Sequence, residues 1–295
     1  MLTVYAPAKI NLILEVLGKY DDYHQISSIV QAINLSDTLN FELAEEISFK
    51  CDEPSLERHN LVIKAASLLK KTTKYSSGAR IELCKRIPWG VGLGGGSSDA
   101  AATLLTLNKL WELRLSVSEL VHLASKLGSD APFFIYGGTA LVEGKGGKIT
   151  PLPSLPPTCF VLLVPPLPKM PEKTKQLYNK LNAAHFTKGQ FVHAALPSLM
   201  QGKMLALALM FNVFERVAFD TFSKLNEYKR KFEQAGASSV HLAGSGPCLF
   251  TIVSEEEEAH DLCLRLRGQG LECYVASSLS KALGLKPKGT SKCPS

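Results

Sequence analysis

The pattern of apolar and polar positions divides the first forty residues into strand-like runs that alternate with turn signals. The runs TVYAPAKINLILEVLG, QISSIVQAINL and DTLNFEL read as separate strands, with the turn signal KYDDYH after the first. From residue 60 the period changes. NLVIKAASLLKK, residues 60–71, places apolar side chains at helical intervals, with Asn60 as its N-cap. ARIELCK, residues 79–85, returns to a strand pattern and leads into PWGVGLGGGSS. Alanines and leucines then predict a helix from Ser97 to about Leu113, starting at the serines. A second helix opens at Ser116, where Glu119 completes a capping box, and closes at Gly128.

Residues 150–157, TPLPSLPP, hold four prolines in eight positions and mark the expected domain boundary. Beyond them CFVLLV reads as a strand, followed by helical stretches from about 174 to 235. SSVHLAG and PCLFTIV are strands of a βαβ-like end, in which Ser254 is placed as a helix cap. Glu255 to Glu258 form that helix's first turn, where acidic side chains complement the helix dipole. The expected division is therefore 1–152, 153–283, and a disordered tail, 284–295, with few apolar residues to bury.

Composition narrows the class. A chain of 295 residues, 45% hydrophobic and 20% charged, can build one large or two ordinary soluble domains. No run reaches the ~18 apolar residues of a membrane span, and MLTVYAPAKINLILEV reads as a mature, folded start. The net charge of +6 is scattered, which suits an anionic ligand better than a nucleic-acid interface. Seven cysteines without a C-x-x-C pair argue against structural zinc and a disulfide framework, leaving a reducing cytoplasm as the expected compartment.

Five glycines between positions 90 and 96 demand another explanation. A Walker A loop needs a lysine after its glycines, and none follows. Gly90, Gly92 and Gly95 match the dinucleotide fingerprint G-x-G-x-x-G, but that motif requires a strand after its helix, and here a second helix comes next. A tight turn capped by Ser97 or Ser98 would need fewer glycines. What remains is an anion site, with backbone N–H groups and a helix dipole converging on phosphate. The serine hydroxyls can add donors to phosphate or a ligand to Mg²⁺.

PWGVGLGGGSSDAAA resembles the phosphate loop of the galactokinase, homoserine kinase, mevalonate kinase and phosphomevalonate kinase (GHMP) superfamily. APAKINLILEVLGKYDDYH, GSDAPFF at 128–134 and HLAGSGPCLF at 241–250 fit the same family in order. Together they look like the branch whose acceptor is a cytidine-diphosphate-linked methylerythritol. The resemblance implies a two-domain α+β fold, with a ribosomal-protein-S5-domain-2-like N-terminal part and a ferredoxin-like C-terminal part. It further implies Mg²⁺-ATP-dependent phosphorylation of the acceptor's 2-hydroxyl in the cleft between them.

Carried onto this chain, the family's ATP loop falls on Pro88, Trp89, Gly90, Val91, Gly92, Leu93, Gly94, Gly95, Gly96, Ser97 and Ser98, with Ser98 a candidate Mg²⁺ ligand. Asn60, Leu61 and Lys85 fall in its adenine pocket, although an N-cap and a solvated strand end explain Asn60 and Lys85 equally well. Asp130 falls on the general base and Lys9 on the residue that keeps it ionised and offsets charge on the moving phosphoryl group. Read by themselves, Asp130 is a helix N-cap and Lys9 a surface lysine at a sheet edge. Asn11, two residues from Lys9, shares its strand face and is placed to bond a polyol hydroxyl.

Tyr23 and His24 match the cytidine-binding pair, with Asp22 where the family has glycine. Thr174 and Tyr178 are placed to cover the cytosine from the other domain, with Lys173 where serine is usual. The resemblance places the backbone of Gly244, Ser245 and Gly246 toward the substrate diphosphate, although a tight turn between two strands explains this loop nearly as well. The implied partners are ATP and the cytidine-diphosphate polyol alone, with no nucleic acid or membrane, in a monomer or weak homodimer. Two rivals stand beside this reading. A homoserine or mevalonate acceptor would give Tyr23 and His24 nothing to stack. An inactive nucleotide-binding module would not need Lys9, Asp130 and Ser98 intact.

Overall fold

The computed structural model describes residues 1–21, 23–57, 60–280 and 285–286. In it the N-terminal alternation becomes two long antiparallel strands, β1 (Leu2–Tyr20) and β2 (Tyr23–Ala44). QISSIVQAINL and DTLNFEL belong to one strand, because a register shift opposite Pro7 and Ala8 absorbs the break between them. Further shifts at Asn11/Ile13 and Val16/Gly18 add bulges, which bend and twist the ribbon. One strand can therefore serve three cores. Val4 and Ala6 enter the first, Ala8, Ile10, Leu12 and Ile13 the second, and Leu14 and Val16 the third.

The chain continues through β3 (Ser48–Cys51), α1 (Leu61–Thr73), β4 (Gly78–Cys84), α2 (Gly95–Leu110) and α3 (Val117–Ser125). It then forms α4 (Ala131–Tyr136), β5 (Thr139–Gly144) and β6 (Lys148–Pro151). The proline-rich stretch carries it to β7 (Cys159–Val164), α5 (Lys173–Lys180), α6 (Gln190–Leu199) and β8 (Phe211–Asn212). After α7 (Glu215–Thr221) and α8 (Leu225–Gln234) come β9 (His241–Leu242), β10 (Leu249–Val253) and α9 (Glu256–Arg267). β11 (Glu272–Ser277) and β12 (Leu285–Lys286) complete it.

Among the described residues eight strands form the larger sheet, along the path β12-β1-β2-β4-β3 with β5, β6 and β8 attached. β11-β7-β10-β9 form a smaller antiparallel sheet. Ala259, Leu262, Cys263 and Leu266 recur at helical spacing along α9 and are buried in the core beside that sheet. Ile10 and Ile13 share a core with Phe160, Leu162 and Phe250, so the sheets meet through apolar side chains. Of the tail expected to be disordered, only β12 lies within the described residues, and it pairs with Thr3 and Val4.

Local signals set most helix ends. The Asn60 side chain accepts from the Val62 amide at 2.9 Å, and Ser116 and Glu119 form the expected box, although α3 ends at Ser125, before Gly128. α9 departs from expectation: Glu255 holds the cap position without a side-chain bond, and the Ser254 amide donates instead to Glu258 Oε2 at 3.3 Å. α2 starts two residues before the serines, at Gly95, and is buried on nearly every side between α1, α4 and the sheet. Ala100, Ala101 and Ala102 allow that close approach. Phe133 and Phe134 of α4 pack edge to face at 5.1 Å, and burying each contributes about 1.5–3 kcal/mol.

Candidate active site

The glycine loop is shaped by what it must pass. Gly92 has φ +99°, and a Cβ there would stand 2.1 Å from the Ala243 carbonyl oxygen. Gly94, at φ +76°, is the N-cap of α2, and a Cβ there would press on Lys9 and Phe134 at 3.0 Å. Only glycine meets both demands. Leu93 O accepts from the Lys9 amide at 2.9 Å and Val91 O from the Cys248 amide at 3.2 Å, so the loop is tied on two sides. Because the cap is a glycine, no side chain covers the first-turn amides of α2. Gly94, Gly95, Gly96 and Ser97 all line a cavity of about 680 Å³.

Lys9 enters that cavity from the middle of the sheet, not from an edge. Its ammonium donates to Asn11 Oδ1 at 2.7 Å, which confirms that the two share a strand face, and Asn11 Nδ2 donates to Ser28 Oγ at 2.8 Å. Asp130 precedes α4 but makes no capping bond. Its half-exposed carboxylate stands 3.8 Å from the buried Lys9 ammonium. Asp130 thus holds the cap position that sequence alone assigns to it, but its side chain faces Lys9 instead of capping α4.

His24 and Tyr178 stack at 4.7 Å with their planes 20° apart, bringing β2 and α5 together at the cavity's far end. Phe214 meets Tyr178 edge-on at 4.9 Å. His24 Nε2 is buried without a hydrogen-bond partner. Burial, aided by Lys19, holds its imidazole below the ordinary pKa, in the neutral form. Tyr23 lines an adjoining cavity of about 610 Å³ that shares His24 and Tyr178, and Lys145 lies 3.8 Å over its ring. Thr174 Oγ1 and Ser245 Oγ are 2.9 Å apart, linking α5 to the loop after β9, and Gly244 and Ser245 line the main cavity.

Likeness to known proteins decides what this arrangement belongs to. Residues 60–138 match the GHMP kinases N terminal domain, and residues 195–270 match GHMP kinases C terminal. A 4-diphosphocytidyl-2-C-methyl-D-erythritol kinase of Dehalococcoides mccartyi is 43% identical over 281 residues, covering 95% of this chain and 99% of the relative. One from Shouchella clausii is 41% identical, covering 92% and 93%. The chain belongs to this kinase family. A crystal structure of 4-(cytidine 5'-diphospho)-2C-methyl-D-erythritol kinase agrees, with a TM-score of 0.79 at 33% identity over 94% of this chain and 98% of that one. The fold is accordingly the α+β GHMP kinase fold, and GHMP kinases use ATP as co-substrate.

Not every candidate reaches the main cavity of this GHMP kinase. Leu61 does; Asn60 does not, its amide being spent on Val62 N and Leu56 O. Pro88, Trp89 and Val91 line a separate cleft of about 290 Å³, where Lys169 caps the Trp89 ring at 2.9 Å. Leu93 is buried and acts through its carbonyl. Ser98 is fully buried, its hydroxyl without a partner and outside the cavity lining. Gly246 contributes its carbonyl to Lys173 and does not line the cavity.

Lys85, expected at a solvated strand end, is instead enclosed by carboxylates. Its ammonium contacts Asp37 Oδ2 and donates to Asp99 Oδ2 at 2.9 Å, while Asp37 Oδ1 accepts from the Arg86 and Ile87 amides. Burial pulls the Lys85 pKa down, but Asp99 and Asp37 outweigh it and the net shift is upward. Burial, with Asp37 adding to it, pushes the Asp99 carboxyl well above its usual range. The triad anchors the segment that enters the glycine loop.

Sequence reasoning passed over Ser129, Lys145, Glu172 and Lys175, which line the cavity, and treated Lys173 only as a departure from the family. The four lysines Lys9, Lys145, Lys173 and Lys175 against Asp130 and Glu172 make the cavity net basic, as a polyphosphate requires. The uncovered helix start and close-packed glycines fit ATP phosphates. Among the described residues no cluster of three His, Cys, Asp or Glu could hold a metal ion, and no helix is long and apolar enough to cross a membrane. Ser97 and Asp130 line the cavity and are the oxygen donors that would help hold a divalent ion bound by the nucleotide, which would supply charge neutralisation there.

Proposed function

We propose that this chain transfers the γ-phosphoryl group of ATP to the 2-hydroxyl of 4-diphosphocytidyl-2-C-methyl-D-erythritol, in the non-mevalonate route to isoprenoids. The observation that carries it is one cavity joining three parts: the uncovered start of α2, the Lys9–Asp130 pair, and the His24–Tyr178 stack. Phosphoryl transfer needs an aligned hydroxyl and neutralised charge. The acceptor hydroxyl attacks the γ-phosphorus, its O–P bond forms as the bond to the ADP oxygen breaks, and the hydroxyl proton passes to Asp130. Lys9 offsets charge on the transferred group, with Asn11 holding the Lys9 ammonium in place.

Mg²⁺ on the triphosphate would reduce its charge. The cytosine would enter the adjoining cavity lined by Tyr23, His24 and Tyr178, where the unpartnered His24 Nε2 offers a polar contact and the rings offer stacking faces. Residues 1–152 would carry ATP and the base, 153–283 would close over the acceptor, and the enzyme would work in the cytoplasm as a monomer or weak homodimer.

Coupled ADP release from purified protein with Mg²⁺-ATP tests this, offering the cytidine compound, homoserine and mevalonate in turn. Turnover with the cytidine compound alone is expected. Turnover with another acceptor would retain the fold and remove the reading of His24 and Tyr178.

A further inference from the structure

Lys173 opens α5, and its ammonium donates to Gly90 O at 2.8 Å and contacts Gly246 O. It therefore lies where the phosphate loop meets the loop after β9, and it lines both the main cavity and the cleft beside Trp89. Two carbonyl oxygens hold this ammonium, but three features of its position are adverse to a cation. It occupies the first turn of a helix, the positive end of the dipole. It is largely removed from water and shares the cavity with a second ammonium, Lys9. Lys169 borders the cleft from the same loop; the balancing groups are Asp130, Glu172 and Glu272, and Cys248 is a buried thiol kept neutral. Loss of water contact, then Lys9, lowers the Lys173 pKa to about 8.

All three penalties are relieved by one event, the arrival of a polyanion. A lysine ammonium has three N–H donors, and two are engaged here, so one is left for a ligand. We propose that Lys173 contacts the polyphosphate of the bound nucleotide, acting with Lys9 as the second of two cations around the transferred group. The inference rests on the reading that this cavity holds ATP. It goes beyond the pair formed by Lys9 and Asp130, since it assigns the nucleotide a charge partner from the C-terminal part of the chain.

Binding of a non-hydrolysable ATP analogue decides it, measured by calorimetry between pH 7 and 9.5 in two buffers of different ionisation enthalpy. Wild type, Lys173→Met and Lys173→Arg are compared as full-length chains, with thermal melts to confirm folding. Lys173→Met should weaken analogue binding at pH 7.5 by at least about tenfold, and Lys173→Arg should stay within about threefold of wild type, because charge-assisted bonds to phosphate survive in arginine. Just above pH 8 the wild type should take up a proton on binding, as the phosphate raises a lysine pKa that starts near 8. Neither variant should do so. A residue that only ties two loops together would weaken binding without proton uptake. Binding by Lys173→Met within about threefold of wild type, or uptake that persists in it, overturns the proposal. Should the wild type bind the analogue yet phosphorylate none of the acceptors, the acceptor reading fails while these data still decide Lys173. Should it bind no analogue, both fail.

Discussion

Lys9 and Asp130 face one another across 3.8 Å, the first with 6% of its side chain exposed and the second with 51%. The cation is held by the sheet and the carboxylate is open to a substrate. That asymmetry predicts a separation of effects. Asp130→Asn should lower kcat by ~10²–10⁴ while leaving affinity for an ATP analogue within about threefold. Steady-state kinetics and calorimetry on the same preparation check this. A loss of affinity equal to the loss of rate would make Asp130 a binding residue instead.

The glycine loop should respond to methyl groups by position rather than by number. Gly92→Ala places a methyl 2.1 Å from Ala243 O at φ +99°, so it should abolish analogue binding or cost about 1–3 kcal/mol of stability or more. Gly96→Ala meets only Leu61 Cδ1 at 3.7 Å inside a helix and should hold or gain up to about 1 kcal/mol. Urea melts of both variants make the comparison. Equal behaviour would refute the packing account.

At the Lys85 triad, removing the cation should be far worse than removing one carboxylate charge. Lys85→Met leaves Asp37 and Asp99 facing each other in the core and should cost about 3–5 kcal/mol. Asp99→Asn should be nearly neutral or stabilising near pH 7. The Asp99 carboxyl is raised in the folded chain, so the fold binds its proton more tightly than the unfolded chain does. Its contribution is therefore present below the unfolded carboxylate value of about 3.9 and is lost as pH rises through the folded value. Urea unfolding at a series of pH values should show that decline in wild type and not in Asp99→Asn.

Removing the ring at Tyr178 should act on the acceptor alone. Tyr178→Ala is expected to raise its KM by about 2- to 12-fold, the equivalent of one aromatic stack, with the KM for ATP unchanged. Tyr178→Phe keeps the ring and should stay within about twofold. Because burial and Lys19 keep His24 neutral, the acceptor KM should be flat from pH 7 upward and change only as pH falls below 6.5. A changed ATP KM in Tyr178→Ala would place the stack on the nucleotide side.

What could be read from the chain alone was whatever depends on near neighbours in sequence. Asn60 caps α1 because its side chain needs only the amide two residues on, and Ser116 with Glu119 closes a box within one turn. Lys9 and Asn11 share a face because a strand repeats every two residues, and the crowded glycines declared a close approach. Partners that are distant in sequence decided the rest. β1 is buried on both faces, so its apolar pattern does not alternate and its continuity with three cores is invisible to periodicity. Lys85 is drawn inward by Asp37, 48 residues away, and Lys173 by a carbonyl 83 residues away. Tyr178 finds His24 only when α5 folds against β2. Charge and stacking act through space, and only tertiary structure determines which side chains lie within reach.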